Sequence, residues 1–196
     1  MIKVGLTGGI GSGKTVVCNV FKYFGIPVYH ADIQAKILSD TNFEIRDKLI
    51  SLFGDDIYTG AGLDRKQLAT IVFRNKELLQ RINNIIHPVV KQHFEIWMKE
   101  HYSDVYIIQE AAILFESGYQ QLFDKIITVT APEDLRIKRV MARDNVTGEH
   151  VRNILANQMD ENEKAKKSDY VIINDDQNLV LPQIMKIHQE LSSFKI

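Results

Sequence analysis

A chain that runs from a short apolar stretch, Ile2 to Leu6, straight into Gly8-Gly9-Ile10-Gly11-Ser12-Gly13-Lys14-Thr15 has few folds open to it. A strand, a glycine-rich turn and then Lys-Thr at the head of an amphipathic stretch is the order of a phosphate loop on a parallel sheet. Glycines at 8, 9, 11 and 13 let the main chain curl and bring successive N–H groups close to phosphate oxygens, where a Cβ would intrude. The helix that follows aims its positive end at the same anion. Lys14 is placed to reach β- and γ-phosphates, and the Thr15 hydroxyl to ligate the magnesium ion that bridges them. A dinucleotide-binding G-x-G-x-x-G does not fit, because Lys14 stands where its last glycine belongs.

The length of 196 residues, with 45% hydrophobic and 25% charged residues, is that of a soluble globular chain with one full core and a modest inserted substructure. A formal net charge of -1 argues against a general nucleic-acid or anionic-membrane binder. Cys18 is the only cysteine, which excludes a disulfide framework and a thiolate zinc site. Its neighbours Val16, Val17, Val20 and Phe21 predict a buried thiol in a reducing compartment. No secretory pattern and no apolar run of membrane-spanning length is visible, so a cytoplasmic location is expected.

Along the chain, Val16, Val17, Val20, Phe21 and Phe24 recur at helical spacing, and Gly25-Ile26-Pro27 ends that helix. Strands are predicted at Val28-Tyr29, Val105 to Ile108, Lys125 to Val129 and Val171 to Ile173, so the sheet has five parallel members. Asp32 follows the second strand at the edge where open α/β sheets bind ligands; helix N-cap is its bland alternative. From Ile33 to Tyr102 the pattern is mostly helical, as an insertion would be. Phe43, Ile45, Leu49, Ile50 and Phe53 make one amphipathic segment there, Gly60 and Gly62 mark a loop, and Asp64 opens a helix over Leu68 to Phe73. His87-Pro88 predicts a kink or helix boundary ahead of any substrate contact by His87.

Glu110 and Glu116 lie at and after the end of the third core strand, where an acid near the metal would sit; a solvated face is the alternative, and position favours Glu110. Arg136, Arg139 and Arg143 fall at i, i+3 and i+7 and predict one stripe of guanidinium groups for phosphate. The stretch from Asn145 to Lys167 is polar and promises little core. Asn174 ends the last strand, and His188 on the final helix reads as a packed or surface histidine.

The whole chain resembles the dephospho-CoA kinase family. The likeness rests on Leu6-Thr7 with Gly8 to Thr15, Ala31-Asp32, Ile86-His87-Pro88, Leu114-Phe115-Glu116, Arg139 with Arg143-Asp144, Arg152 with Gln158, and Asp169 with Asn174. Alanine at 112 and serine at 168 depart from the proline and alanine common in the family. The resemblance implies a P-loop three-layer α/β/α fold with a five-stranded parallel sheet, a helical substrate-binding insertion and a small lid. Its expected bounds are core 1-31, 103-143 and 168-196, acceptor-binding insertion 32-102 and lid 144-167.

It also implies transfer of phosphate from ATP, with Mg2+, to the ribose 3′-hydroxyl of dephospho-CoA; no nucleic-acid or membrane partner is expected, and a monomer is favoured with the oligomeric state left open. Lys14, Asp32 and Arg139 would be catalytic. Gly9, Gly11, Ser12, Gly13, Lys14, Thr15, Val16, Arg143 and Asn174 would hold the nucleotide; Asp32, His87, Glu110 and Glu116 the acceptor; Thr15 and Asp32 the metal. Asp32 is either the general base or a magnesium organiser. Nucleoside monophosphate kinases share this plan, whereas a guanine-reading switch is disfavoured because Asn75-Lys76-Glu77-Leu78 lacks the aspartate of Asn-Lys-x-Asp.

Overall fold

Hydrophobic period decides the element types, and their order decides the sheet. In the computed structural model, which describes residues 1–72 and 75–194, β1 (Ile2–Thr7) leads through the glycine loop into α1 (Lys14–Tyr23) and β2 (Val28–His30). A helical run follows: α2 (Ala31–Thr41), α3 (Phe43–Phe53), the two-residue strands β3 (Tyr58–Thr59) and β4 (Gly62–Leu63), α4 (Arg65–Val72) and α5 (Lys76–Glu100). The chain then returns through β5 (Tyr106–Glu110), β6 (Lys125–Thr130), α6 (Glu133–Asp144), α7 (Gly148–Leu155), α8 (Glu161–Lys166), β7 (Tyr170–Ile173) and α9 (Val180–Ser193). Packing divides the chain into two compact units, Met1–His30 with His101–Ile196, and Ala31–Glu100.

The first unit is built on a five-stranded sheet in the order β2-β5-β1-β6-β7, and every pairing is parallel. The first strand is therefore central, paired with β5 on one side and β6 on the other. At its carboxyl end the connections diverge to opposite halves of the sheet, which opens a ligand crevice. One face of the sheet buries Val4, Leu6, Tyr106, Ile108, Ile127 and Ile172 against Val17, Cys18 and Phe21 of α1 and Ile184, Ile187 and Leu191 of α9. Burying a side chain of the size of Phe21 contributes roughly 1.5–3 kcal/mol. On the other face Leu114, Phe115 and Ile126 pack with Phe123 and Met159. As expected, His188 is a packing residue, with its Nδ1 2.6 Å from the Tyr106 hydroxyl and its ring 4.9 Å from that of Phe24.

Ile45, Leu49, Ile57, Tyr58, Leu63, Leu68, Ile82 and Val89 form the core of the second unit. Three local expectations are corrected here. Phe43 is 79% exposed and opens α3 without joining its buried face; Asn42 caps that helix by accepting from the Ile45 N–H at 3.0 Å. The glycine-marked loop contains the short β3–β4 pairing, pinned where Asp40 Oδ1 accepts the Leu63 N–H at 2.9 Å. Nor does α5 break at His87-Pro88. Pro88 and Asn84 both lie on the exposed side, so the carbonyl that loses its donor faces water, while Ile82, Val89 and Val90 continue one buried stripe through the proline. Asp64 does cap α4, accepting from the N–H groups of Lys66 and Gln67 at 3.0 and 2.9 Å. Phe73, expected at that helix's end, lies outside the described residues.

Candidate active site

The phosphate loop sits at the carboxyl end of the central strand, between Thr7 and Lys14. Gly13 precedes α1 in the left-handed region at φ 96°, and a Cβ there would collide with the amide of Asn174. The opening turn of α1 carries no acidic side chain, and its first N–H groups have no carbonyl of their own helix to bond. Those donors, with the positive end of the helix, make the anion seat.

Lys14 and side chains from three other segments converge on this loop. Lys14 Nζ donates to the carbonyls of Gly8 and Gly9 at 2.9 and 3.2 Å, so the ammonium folds over the loop. Asn174 Nδ2 donates to the Ser12 carbonyl at 2.8 Å. Arg139 Nη1 donates to the Asn174 carbonyl at 3.0 Å and reaches the Gly11 carbonyl at 3.5 Å, while its Nη2 pairs with Asp176. The Gly9 N–H donates to Glu161 Oε1 at 2.7 Å and the Ile10 N–H to Gln158 Oε1 at 3.0 Å. The hydroxyl of Ser12 is buried and has no hydrogen-bond partner among the described residues.

The expected stripe of three arginines separates. Arg136 is 7% exposed, donates from Nε to the Ala131 carbonyl at 3.1 Å and lies 3.5 Å from Glu161. Packed between loop and strand end, it is a structural cation and presents nothing to solvent. Arg143, at the far end of α6, is exposed and bonded to Asp144 through Nε and Nη2, each at 2.7 Å. Only Arg139 of the three touches both the loop and the last strand's end. A helical repeat sets direction, but the sheet on one side and solvent on the other decide what each guanidinium meets.

Both glutamates have protein partners. Glu110 is buried, with Oε2 3.1 Å from His30 Nδ1, and His30 Nε2 in turn lies 2.8 Å from Lys22 Nζ. Glu116 Oε1 accepts the Met159 N–H and Lys164 Nζ, both at 2.8 Å. Cys18, on the buried face of α1, has its thiol pushed up to about 12 by burial, with Glu110 adding to the shift.

In the second unit, Asp32 is the second residue of α2, within its first turn, and so is not the N-cap. Its side chain is exposed, while His87 is half-buried on α5, which packs against α2. Burial lowers the His87 pKa below the ordinary histidine value, and the Asp32 carboxylate opposes that shift.

His30, Lys164, Asp176 and the role of Glu161 were not singled out by sequence reasoning. Asp160-Glu161-Asn162-Glu163 reads as a solvated acidic run, yet Asp160 is the cap of α8 and Glu161 turns inward. The contact joins residues 152 positions apart, so no local pattern announces it.

The dephospho-CoA kinase (CoaE) family model matches residues 2–179. The chain belongs to this family. A dephospho-CoA kinase of Porphyromonas gingivalis is 43% identical over 188 residues, covering 95% of this chain and 93% of that protein. Among solved structures, the protein TT1252 of Thermus thermophilus superposes with a TM-score of 0.82 at 31% identity, covering 100% of this chain and 98% of that one. A dephospho-CoA kinase from Campylobacter jejuni does so with 0.69 at 30% identity, covering 97% and 96%. The fold is thus the P-loop three-layer kind with a five-stranded parallel sheet.

The metal that accompanies ATP in such chemistry fits the residues present. Among the described residues no group of three or more His, Cys, Asp or Glu could cage an ion, while the side chain of Thr15 is exposed on the first turn of α1. A single hydroxyl is the donor set of a hard cation that keeps water and phosphate oxygens as its remaining ligands.

Proposed function

We propose that this chain transfers the γ-phosphoryl group of ATP to the ribose 3′-hydroxyl of dephospho-CoA, giving CoA and ADP. The observation that carries the reading is the intact Gly8 to Thr15 loop on the central strand of a chain whose family match spans residues 2–179. The transfer is direct and in line, without a covalent enzyme intermediate.

Lys14 leaves the carbonyls of Gly8 and Gly9 to bond the β- and γ-phosphates, and the amides of Gly11, Gly13 and Thr15 complete the anion seat, those of Ser12 and Val16 being bonded to the Gly9 and Gly13 carbonyls. Arg139 supplies a second cation as charge spreads over the transferring group, with Asn174 fixing its direction. Arg143 exchanges Asp144 for the nucleotide. Asp32, exposed, receives the hydroxyl proton; His87, its pKa lowered by burial, bonds the acceptor. Magnesium, when bound, would neutralise phosphate charge, with the Thr15 hydroxyl as its side-chain ligand on the loop. Glu110 and Glu116 support the site through His30 and Lys164.

We assign acceptor binding to the helical unit and closure over the nucleotide to the first half of segment 144–167, around α7, whose exposed Arg152 faces solvent. This half also carries more core than its composition suggests, since Val151 is buried with Ile137 and Val140. A monomer in the cytoplasm is the favoured setting, in keeping with a single, buried thiol.

A coupled ADP-release assay with magnesium-ATP tests the reading. Release that depends on dephospho-CoA, with CoA as product, is the expected result. Turnover of a nucleoside monophosphate and none of dephospho-CoA would overturn it.

A further inference from the structure

The segment from Gln158 to Lys164 lies outside the roles assigned above, yet it carries the most heavily bonded side chains near the loop. Glu161 uses both carboxylate oxygens. Oε1 accepts the Gly9 N–H at 2.7 Å and lies 3.5 Å from Arg136 Nη1; Oε2 accepts the Ala131 N–H at 3.1 Å. Three residues earlier, Gln158 Oε1 accepts the Ile10 N–H at 3.0 Å. The first turn of the phosphate loop is therefore gripped at two consecutive amides by side chains from one distant segment. Gly9 leaves room for this, since a Cβ there would lie 2.6 Å from Glu161 Oε1.

That segment is itself anchored. Lys164 is 0% exposed, donates to the Ala112 carbonyl at 3.0 Å and pairs with Glu116 Oε1 at 2.8 Å. Glu116 also accepts the Met159 N–H, so one carboxylate holds both the start and the end of the segment. Below it, Ser168 Oγ donates to the Lys164 carbonyl at 2.8 Å and lies 2.6 Å from Thr128 Oγ1 on the sheet. A buried ion pair is costly unless its remaining atoms are bonded, and breaking one partner leaves an uncompensated charge. Here the lysine and both carboxylates are bonded at several points, which fixes positions rather than merely balancing charge.

We propose that Gln158 and Glu161 are positioning residues for ATP binding: they hold the Gly9–Ile10 turn so that the later loop amides face the polyphosphate, and the Lys164–Glu116 pair holds them. Two consequences separate this from a charge effect. An anionic side chain beside a polyphosphate site should oppose ATP, so a purely electrostatic Glu161 would give tighter binding when neutralised. A positioning Glu161 gives weaker binding, because preorganised donors are lost. Lys164, which does not touch the loop, should then matter as much as the residues that do.

The inference rests on reading the loop as the nucleotide site, and its main readout is nucleotide affinity, with the KM for dephospho-CoA as the control. Isothermal titration of ATP into the full chain should show Glu161→Ala and Lys164→Met each weakening binding by roughly tenfold, the scale of one or two lost buried hydrogen bonds. Glu161→Gln, which keeps an acceptor for Gly9, should recover most of the loss. The KM for dephospho-CoA should stay at the wild-type value in all three. Should Lys164→Met not fold, Glu116→Gln carries the same test of the anchor. Wild-type or tighter ATP binding by Glu161→Ala overturns the proposal, as does an equal rise in KM for both substrates. Wild-type chain that binds ATP but leaves dephospho-CoA untouched would defeat the kinase reading and leave the positioning test intact.

Discussion

Asn174 Nδ2 donates to the carbonyl of Ser12 at 2.8 Å, so the end of the last strand is hydrogen-bonded to the phosphate loop of the first. Arg139 bonds the carbonyl and, at 3.4 Å, the side-chain oxygen of the same asparagine. Asn174→Ala removes both side-chain bonds and is expected to cost about 1–2 kcal/mol. Thermal melting should fall by roughly 2–8 °C, and the KM for ATP should rise with it. A Tm loss with ATP KM unchanged would confine Asn174 to structure.

Lys14→Ala is expected to fold, since water can replace the ammonium at the Gly8 and Gly9 carbonyls. Loss of this cation should lower kcat by about 10²–10³-fold, as for other groups aimed at transition-state charge. Stopped-flow or coupled assays at saturating ATP, alongside circular dichroism, check both halves.

For Asp32, the discriminating variants are Asn and Ala. The residue is exposed in the first turn of α2, so either substitution should leave the fold intact. A general base contributes about 10²–10⁴-fold, and both variants should lose that much in kcat. Near-normal turnover by Asp32→Ala would remove it from the mechanism.

His87 makes stability depend on pH. Burial lowers its folded pKa below the ordinary 6.5, so on acidification the unfolded chain takes up the proton first. Stability is then full above pH 6.5, declines as pH falls below it, and levels once the folded state is protonated too. The stability difference between wild type and His87→Gln, from urea titrations, should therefore shrink as pH drops through that window. A constant difference from pH 5 to 8 would contradict the assignment.

Cys18, with its thiol pushed up to about 12, has a thiolate fraction on the order of 10⁻⁴ at pH 8. Native protein should resist iodoacetamide, whereas guanidinium-unfolded protein labels at once; mass spectrometry reads the difference. Rapid native labelling would mean that α1 opens readily.

The five core strands and the loop were legible because each is written locally. Alternation and apolar runs mark Ile2–Thr7 or Tyr106–Glu110, and Gly-Lys-Thr marks the turn. The helix boundary allowed at Pro88 did not form, because a proline's cost depends on whether the residue that loses its donor is exposed, and Asn84 is. The three-arginine stripe misled for a related reason: Arg136 sits where α6 meets the loop, and burial claimed its guanidinium. Glu161 and Lys164 were hidden among neighbouring charges of ordinary surface character, since what distinguishes them is tertiary.

The sheet order has a further consequence for how this protein is made. The central strand leaves the ribosome before any strand it pairs with, and its partners, β5 and β6, begin at Tyr106 and Lys125. At synthesis rates of roughly 5–20 residues per second, the apolar Ile2–Thr7 segment waits on the order of 5–20 s for its first neighbour. Its grip on Glu161 comes later still. The nascent chain is thus unable to build a nucleotide seat until Glu161 is synthesised, and the central strand depends on protection while it waits.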